Sequence, residues 1–224
     1  MTKRVEALVN PQVLAWARRM AGMDEELAAR KVGVKPERIR GWERGELRPT
    51  ITQLRKLSDV YKRPLSLFFL ETLPVDDPSP TDFRRFDPTA TEPLSPELRF
   101  QIRDARTRRE AALELFEDIE EEPPQFTLTA RLSDDPETVA ERLRQVLLAD
   151  AQPPLGDPRV VFNFWRDAAE RAGVLVFQAV DVALEEMRGF SITDHPLPAV
   201  VLNIKDAYQA RSFSLFHELA HVLL

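Results

Sequence analysis

Apolar residues between positions 11 and 70 recur at three- and four-residue spacing in short runs, and each run is closed by glycine or proline. Val13, Leu14 and Ala17 mark a helix from Pro11 to Met20 that Gly22 ends. Asp24 is placed to cap a second helix reaching about Val32, with Gly33 as its stop. Pro36 suits the first turn of a third, which carries Ile39 and Trp42 and closes at Gly45. Thr50 caps a fourth with Leu54, Leu57 and Tyr61, and Pro64 to Leu70 (PLSLFFL) reads as a short fifth. Trp42, Phe68 and Phe69 are read as core residues of this bundle.

Six prolines between residues 72 and 96 (Pro74, Pro78, Pro80, Pro88, Pro93, Pro96) break any long element, so this stretch reads as a linker. A long helix follows, from Pro96 to about Glu121, with Leu98, Ile102, Ala105, Ala112, Leu115 and Ile119 as its apolar positions and Pro123-Pro124 as its stop. Its arginines (Arg99, Arg103, Arg106, Arg108, Arg109) and its acidic end, Glu117 to Glu122, suggest a solvated, salt-bridged surface. Ser133 to Pro136 opens a further helix to about Leu148. From Val160 the pattern is mixed: a helix (VFNFWRDAAERAG), then strand-like runs at Val174–Val180, Gly189–Ile192 and Ala199–Ile204, then a helix from Arg211.

Charge changes the picture. Residues 1–63 hold 15 Lys and Arg against 8 Asp and Glu, a balance of +7, while residues 64–224 hold 16 against 29, a balance of −13. A basic front on an acidic body points to a nucleic-acid-facing module ahead of something else. No apolar run has the roughly 18–20 residues of a membrane span, and the first residues lack the apolar core of a signal peptide. The absence of cysteine excludes disulfides and thiolate metal sites, and a cytoplasmic location is expected.

The last helix carries the chemistry. His217-Glu218-Leu219-Ala220-His221 sets two imidazoles one turn apart on one face, a spacing at which both reach one Zn²⁺, with Glu218 beside them as general base. Phe213, Leu215, Phe216, Leu219, Val222, Leu223 and Leu224 suggest a helix buried nearly all round. A catalytic zinc takes three protein ligands. His195, Asp194 and Asp206 are the upstream candidates for the third, although His195 in TDHPLP reads more simply as an exposed loop residue.

The stretches GVLVFQAV, EEMRGFSI, LPAVVLN and ARSFSLFHELAHVLL resemble the ImmA/IrrE family of metallopeptidases. PERIRGWERGELRPTITQLRKLSDVYKRPLSLFFL resembles the XRE-type helix-turn-helix that stands in front of such peptidases, and DFRRF and RDARTRREAALELFEDI are similar to the region between the two. The resemblance implies a regulatory zinc endopeptidase that cleaves an XRE-type repressor, with His217 and His221 as ligands and Glu218 as catalytic acid/base. It also implies a third, acidic ligand on a later helix. The chain breaks off before that helix, so as given it is expected to bind zinc weakly and hydrolyse little. A non-catalytic regulator or antitoxin-like protein, whose peptidase-like region senses or docks a partner, is the alternative reading.

On the third helix, Pro36, Glu37 and Gly41 fall where base edges would be read. Proline offers no donor, glycine no side chain, and a carboxylate repels phosphate, so sequence-specific reading is expected to be poor. Lys35, Arg38, Arg40 and Arg48, with Lys3 and Arg4, remain as backbone contacts to DNA. Helix-turn-helix proteins often pair, which makes a homodimer a candidate. The expected fold is mainly α, α+β overall. It comprises a five-helix bundle over residues 1–71, a linker over 72–96, a helical spacer over 97–150, and a partial zincin-like α+β domain over 151–224 that ends in the zinc helix.

Overall fold

The structure, a computed structural model, describes residues 5–74, 94–149 and 151–224. The DFRRF motif, Lys3, Arg4 and most of the proline-rich linker lie outside them. The chain divides into two compact units, residues 1–81 with 91–100, and residues 82–90 with 101–224. Among the described residues are eight α-helices and one three-stranded sheet, in keeping with the expected mainly helical α+β class.

In the first unit, α1 (Pro11–Met20), α2 (Glu25–Val32), α3 (Pro36–Glu43) and α4 (Ile51–Tyr61) follow the predicted punctuation closely. The Asn10 side chain accepts from the Gln12 amide at the start of α1, and Asp24 accepts from the Leu27 amide at the start of α2. Thr50 and Gln53 form a reciprocal capping box on α4. Leu65–Phe69 is a 3-10 turn rather than a fifth α-helix, since the chain is extended on both sides of it, at Pro64 and Leu70. Phe68 is buried in the core with Leu14, Ile39, Trp42, Leu54, Leu57 and Tyr61. Phe69, expected in the core, points outward, because a 3-10 turn buries only one of two neighbouring rings here.

An ion pair links α1 to α3. The Arg18 guanidinium donates from Nε and Nη2 to the two carboxylate oxygens of Glu43 at 2.7 and 2.8 Å, and from Nη1 to the Met23 carbonyl at 2.8 Å. Only 12% and 10% of the two side chains is exposed.

The second unit contains most of α5 (Pro96–Asp118), then α6 (Pro136–Leu148), α7 (Pro158–Arg171), β1 (Leu175–Ala179), β2 (Gly189–Ile192), β3 (Ala199–Asn203) and α8 (Tyr208–Leu223). The strand order is β1-β3-β2, with β1 parallel and β2 antiparallel to β3. All five residues of the central strand β3 are buried, which explains its unbroken apolar run. Phe126, Leu143 and Leu147 share a core with Phe162, Val176, Leu202, Leu215, Leu219 and Val222. The stretch read as a spacer is therefore, from residue 101, part of this unit.

Two approaches lock the layers together. Gly173, at φ +94°, passes so close to the Pro124 carbonyl that a Cβ there would stand 2.7 Å from its oxygen. The Ala130 amide donates to the Leu223 carbonyl, satisfying one of the last acceptors of α8. Leu115, read as an apolar position of the long helix, is exposed, and Ile119, also read within it, is exposed just past the end of α5.

Candidate metal centre and helix-turn-helix surface

α8 is longer than the motif that announces it, and its charged residues are few. Along its sixteen residues only Arg211 and Glu218 carry fixed charge, and both are buried. Arg211 is held between aromatic faces, its guanidinium carbon 3.9 Å from the Tyr208 ring centre and 5.1 Å from that of Phe162. The inner stripe of the helix, Leu215, Leu219 and Val222, packs into the core. The outer face departs from expectation, since Phe213 is 72% and Leu224 57% exposed. α8 packs on α7, β2 and β3, and these two residues lie off the faces so covered.

His217 and His221 sit half-buried on that outer side, with their Nε2 atoms 3.3 Å apart and their rings nearly perpendicular at 81°. Two ligand bonds of about 2.0–2.1 Å meeting at a tetrahedral angle require a nitrogen separation of roughly 3.3–3.4 Å, so the pair fits a single zinc ion. Phe213 stacks on His217 at 27° between planes.

Glu218, between the two histidines in sequence, is only 4% exposed, and its side chain lies beside Gly189 of β2. Burial pushes its carboxyl up to about 7, partly opposed by a hydrogen bond from the Ser191 side chain. Gly189 makes room for it: a Cβ there would lie 3.2 Å from Glu218 Cγ, 3.3 Å from Oε1 and 3.1 Å from the Val201 carbonyl oxygen. The surroundings of Gly189 are pinned as well. Arg188 pairs with Asp206 at 2.9 Å, and the Asn203 amide donates to the Val182 and Met187 carbonyls at 3.2 and 2.9 Å. Sequence reasoning named none of Gly189, Ser191 or Asn203 as site residues, although the Arg-Gly-Phe and Leu-Asn strings were visible.

The upstream candidates for a third ligand do not join the histidines. Among the described residues no group of three or more His, Cys, Asp or Glu is placed to hold a metal. Asp206 is engaged by Arg188 and accepts from the Ala207 amide. His195 is exposed in the loop between β2 and β3, and the Asp194, Pro196 and Leu197 carbonyls of that loop all accept from Arg109 on α5.

In the first unit, Lys35, Glu37, Arg38 and Arg48 are exposed on or beside α3, with the Arg38 guanidinium 6.0 Å from the Trp42 ring centre. Gly41 does not face outward as expected. It is buried, and a Cβ there would come within 2.8 Å of Leu47 Cδ1, so the Leu47 side chain covers this position. Arg40 is the exception among the basic residues: its guanidinium donates to Glu25 and Glu26 of α2 and lies 3.7 Å from Glu37. Its geometric role is to fix α3 against α2, with its charge offset by three carboxylates.

Residues 14–68 match the helix-turn-helix family model. That span runs from α1 through the 3-10 turn, so α2 and α3 are its two defining helices. No curated protein and no solved structure matches the chain. No described helix is long and apolar enough to cross a membrane.

Proposed function

We propose that this protein is a transcription regulator in which the helix-turn-helix domain is joined to a zinc-dependent endopeptidase site that cleaves an XRE-type repressor. The observation that carries the reading is the convergence of the His217 and His221 Nε2 atoms at 3.3 Å, one residue from a buried carboxylate. Bound zinc would supply an acidified water and polarise a peptide carbonyl. His217 and His221 would hold the ion. Glu218 would take and return a proton, with Ser191 hydrogen-bonded to its carboxylate and Gly189 giving it space. On the front domain, Lys35, Arg38 and Arg48 would neutralise DNA phosphates, and the short list of donors on α3 supports positioning more than base reading.

The experiment is incubation of the zinc-supplemented protein with a purified XRE-type repressor, beside Glu218→Gln. Cleavage lost in that variant, with zinc retained, supports the reading. Equal cleavage by both removes Glu218 from it. The alternative is a regulator that senses or docks a partner without cutting. It predicts zinc binding with no cleavage by either form.

A further inference from the structure

Helix α3 is short of donors, but base edges are also read by acceptors and by apolar contact. Two side chains of the front domain offer these. Glu37 stands in the first turn of α3 with 72% of its side chain exposed. Arg40 lies 3.7 Å from it, yet the Arg40 guanidinium already donates to Glu25 and Glu26, so the contact leaves acceptor capacity on Glu37. One turn further on the same face Gly41 supplies no side chain, and Leu47 fills its place. The Leu47 amide donates to the Gly41 carbonyl at 3.0 Å, and Leu47 Cδ1 and Cγ would lie 2.8 and 3.1 Å from a Cβ at residue 41. Leu47 is nevertheless 47% exposed, so its side chain covers the glycine and still meets solvent. Lys35 and Arg38 adjoin Glu37 in sequence and Arg48 follows Leu47, all three exposed.

We propose that Glu37 and Leu47 are the base-reading pair of this domain, and the proposal rests on the reading of the front domain as a DNA-binding one. Glu37 accepts from the N4 amino group of a cytosine. Leu47 packs on the C5-methyl group of a thymine, in place of the side chain that Gly41 lacks. The major groove sorts the choices. Only cytosine and adenine present an amino donor there, and adenine sets its N7 acceptor beside that donor, where it repels a carboxylate. Leu47 has no polar group to answer any base, so the thymine methyl is the one feature it gains from covering. Positions 37 and 41 are one turn apart, about 5–6 Å between Cβ positions, against a base step of about 3.4 Å. The cytosine and the thymine therefore fall within two steps of each other. Lys35, Arg38 and Arg48 neutralise phosphates nearby, which offsets the cost of bringing a carboxylate into the groove.

The test uses the full chain and a pool of random double-stranded DNA, with bound sequences selected and read at about 50 mM salt. The expected result is a selected site with a cytosine and a thymine within two steps. On that site, followed by fluorescence anisotropy, changing the cytosine should lower affinity about tenfold. Replacing the thymidine with deoxyuridine deletes only the methyl group and should lower affinity about fourfold. Glu37→Gln should move the preference from cytosine to adenine, which glutamine meets at both N6 and N7. Leu47→Ala should bind the thymidine and deoxyuridine sites equally. Salt-dependent binding with no base preference overturns the proposal and leaves the DNA reading standing. A selected site that is indifferent to deoxyuridine and unchanged in both variants does the same. No DNA bound by the native chain overturns both.

Discussion

Glu43→Gln tests the packing logic of the helix-turn-helix domain most sharply. In the native domain the Arg18 guanidinium has two short bonds to Glu43 and one to the Met23 carbonyl, and the nearest other carboxylate, on Glu25, is 3.9 Å away. With about nine-tenths of both side chains buried, solvent cannot replace what Glu43 provides. Removing one partner of a buried pair costs about 3–5 kcal/mol, chiefly through the charge left behind. Glu25 offsets some of this, which places the expected loss at the lower end, about 3 kcal/mol. Replacing both residues, as Arg18→Met with Glu43→Leu, removes the stranded charge, and stability should return to within about 1 kcal/mol of the native value. Trp16 and Trp42 are both buried in this unit, so urea unfolding followed by fluorescence in a Trp165→Phe background reports on it alone. A loss below about 1 kcal/mol for Glu43→Gln, or a double variant no better than the single one, would refute the reasoning.

Other expectations follow from single contacts. Gly189→Ala forces a Cβ against the Val201 carbonyl and the Glu218 carboxylate, and should cost about 1–3 kcal/mol on urea unfolding of the second unit. Thr50→Ala removes the capping box of α4 and should cost about 1 kcal/mol, while Thr50→Ser should be nearly silent. If the front domain binds DNA, Lys35→Ala or Arg38→Ala should each lower the slope of log affinity against log salt by about 1. Arg40→Ala should leave that slope unchanged and instead lower the melting temperature, because its partners are Glu25 and Glu26.

Local chemistry was readable wherever one residue type has one dominant use. Asp24, Thr50 and Gly33 marked helix ends where they are found, and the His-Glu-x-x-His spacing places two imidazole nitrogens 3.3 Å apart. What could not be read was which surface each stripe meets. Gly41 was assigned to the DNA side because helical period alone does not reveal that Leu47 folds back over it. Arg40 counted as a free cation until α2 placed two carboxylates beside it. The apolar residues of α8 promised burial all round, but α7 and the sheet cover only part of its surface, and Phe213 and Leu224 are exposed. The roles of Gly189 and Asn203 depend on β2 running antiparallel beside β3, a pairing set across thirteen residues of sequence.

The most direct measurement of the central claim is zinc content by elemental analysis of the purified, zinc-dialysed chain beside His217→Ala. The account predicts bound zinc that is lost in the variant. Zinc-free protein, or equal zinc in both forms, would contradict it.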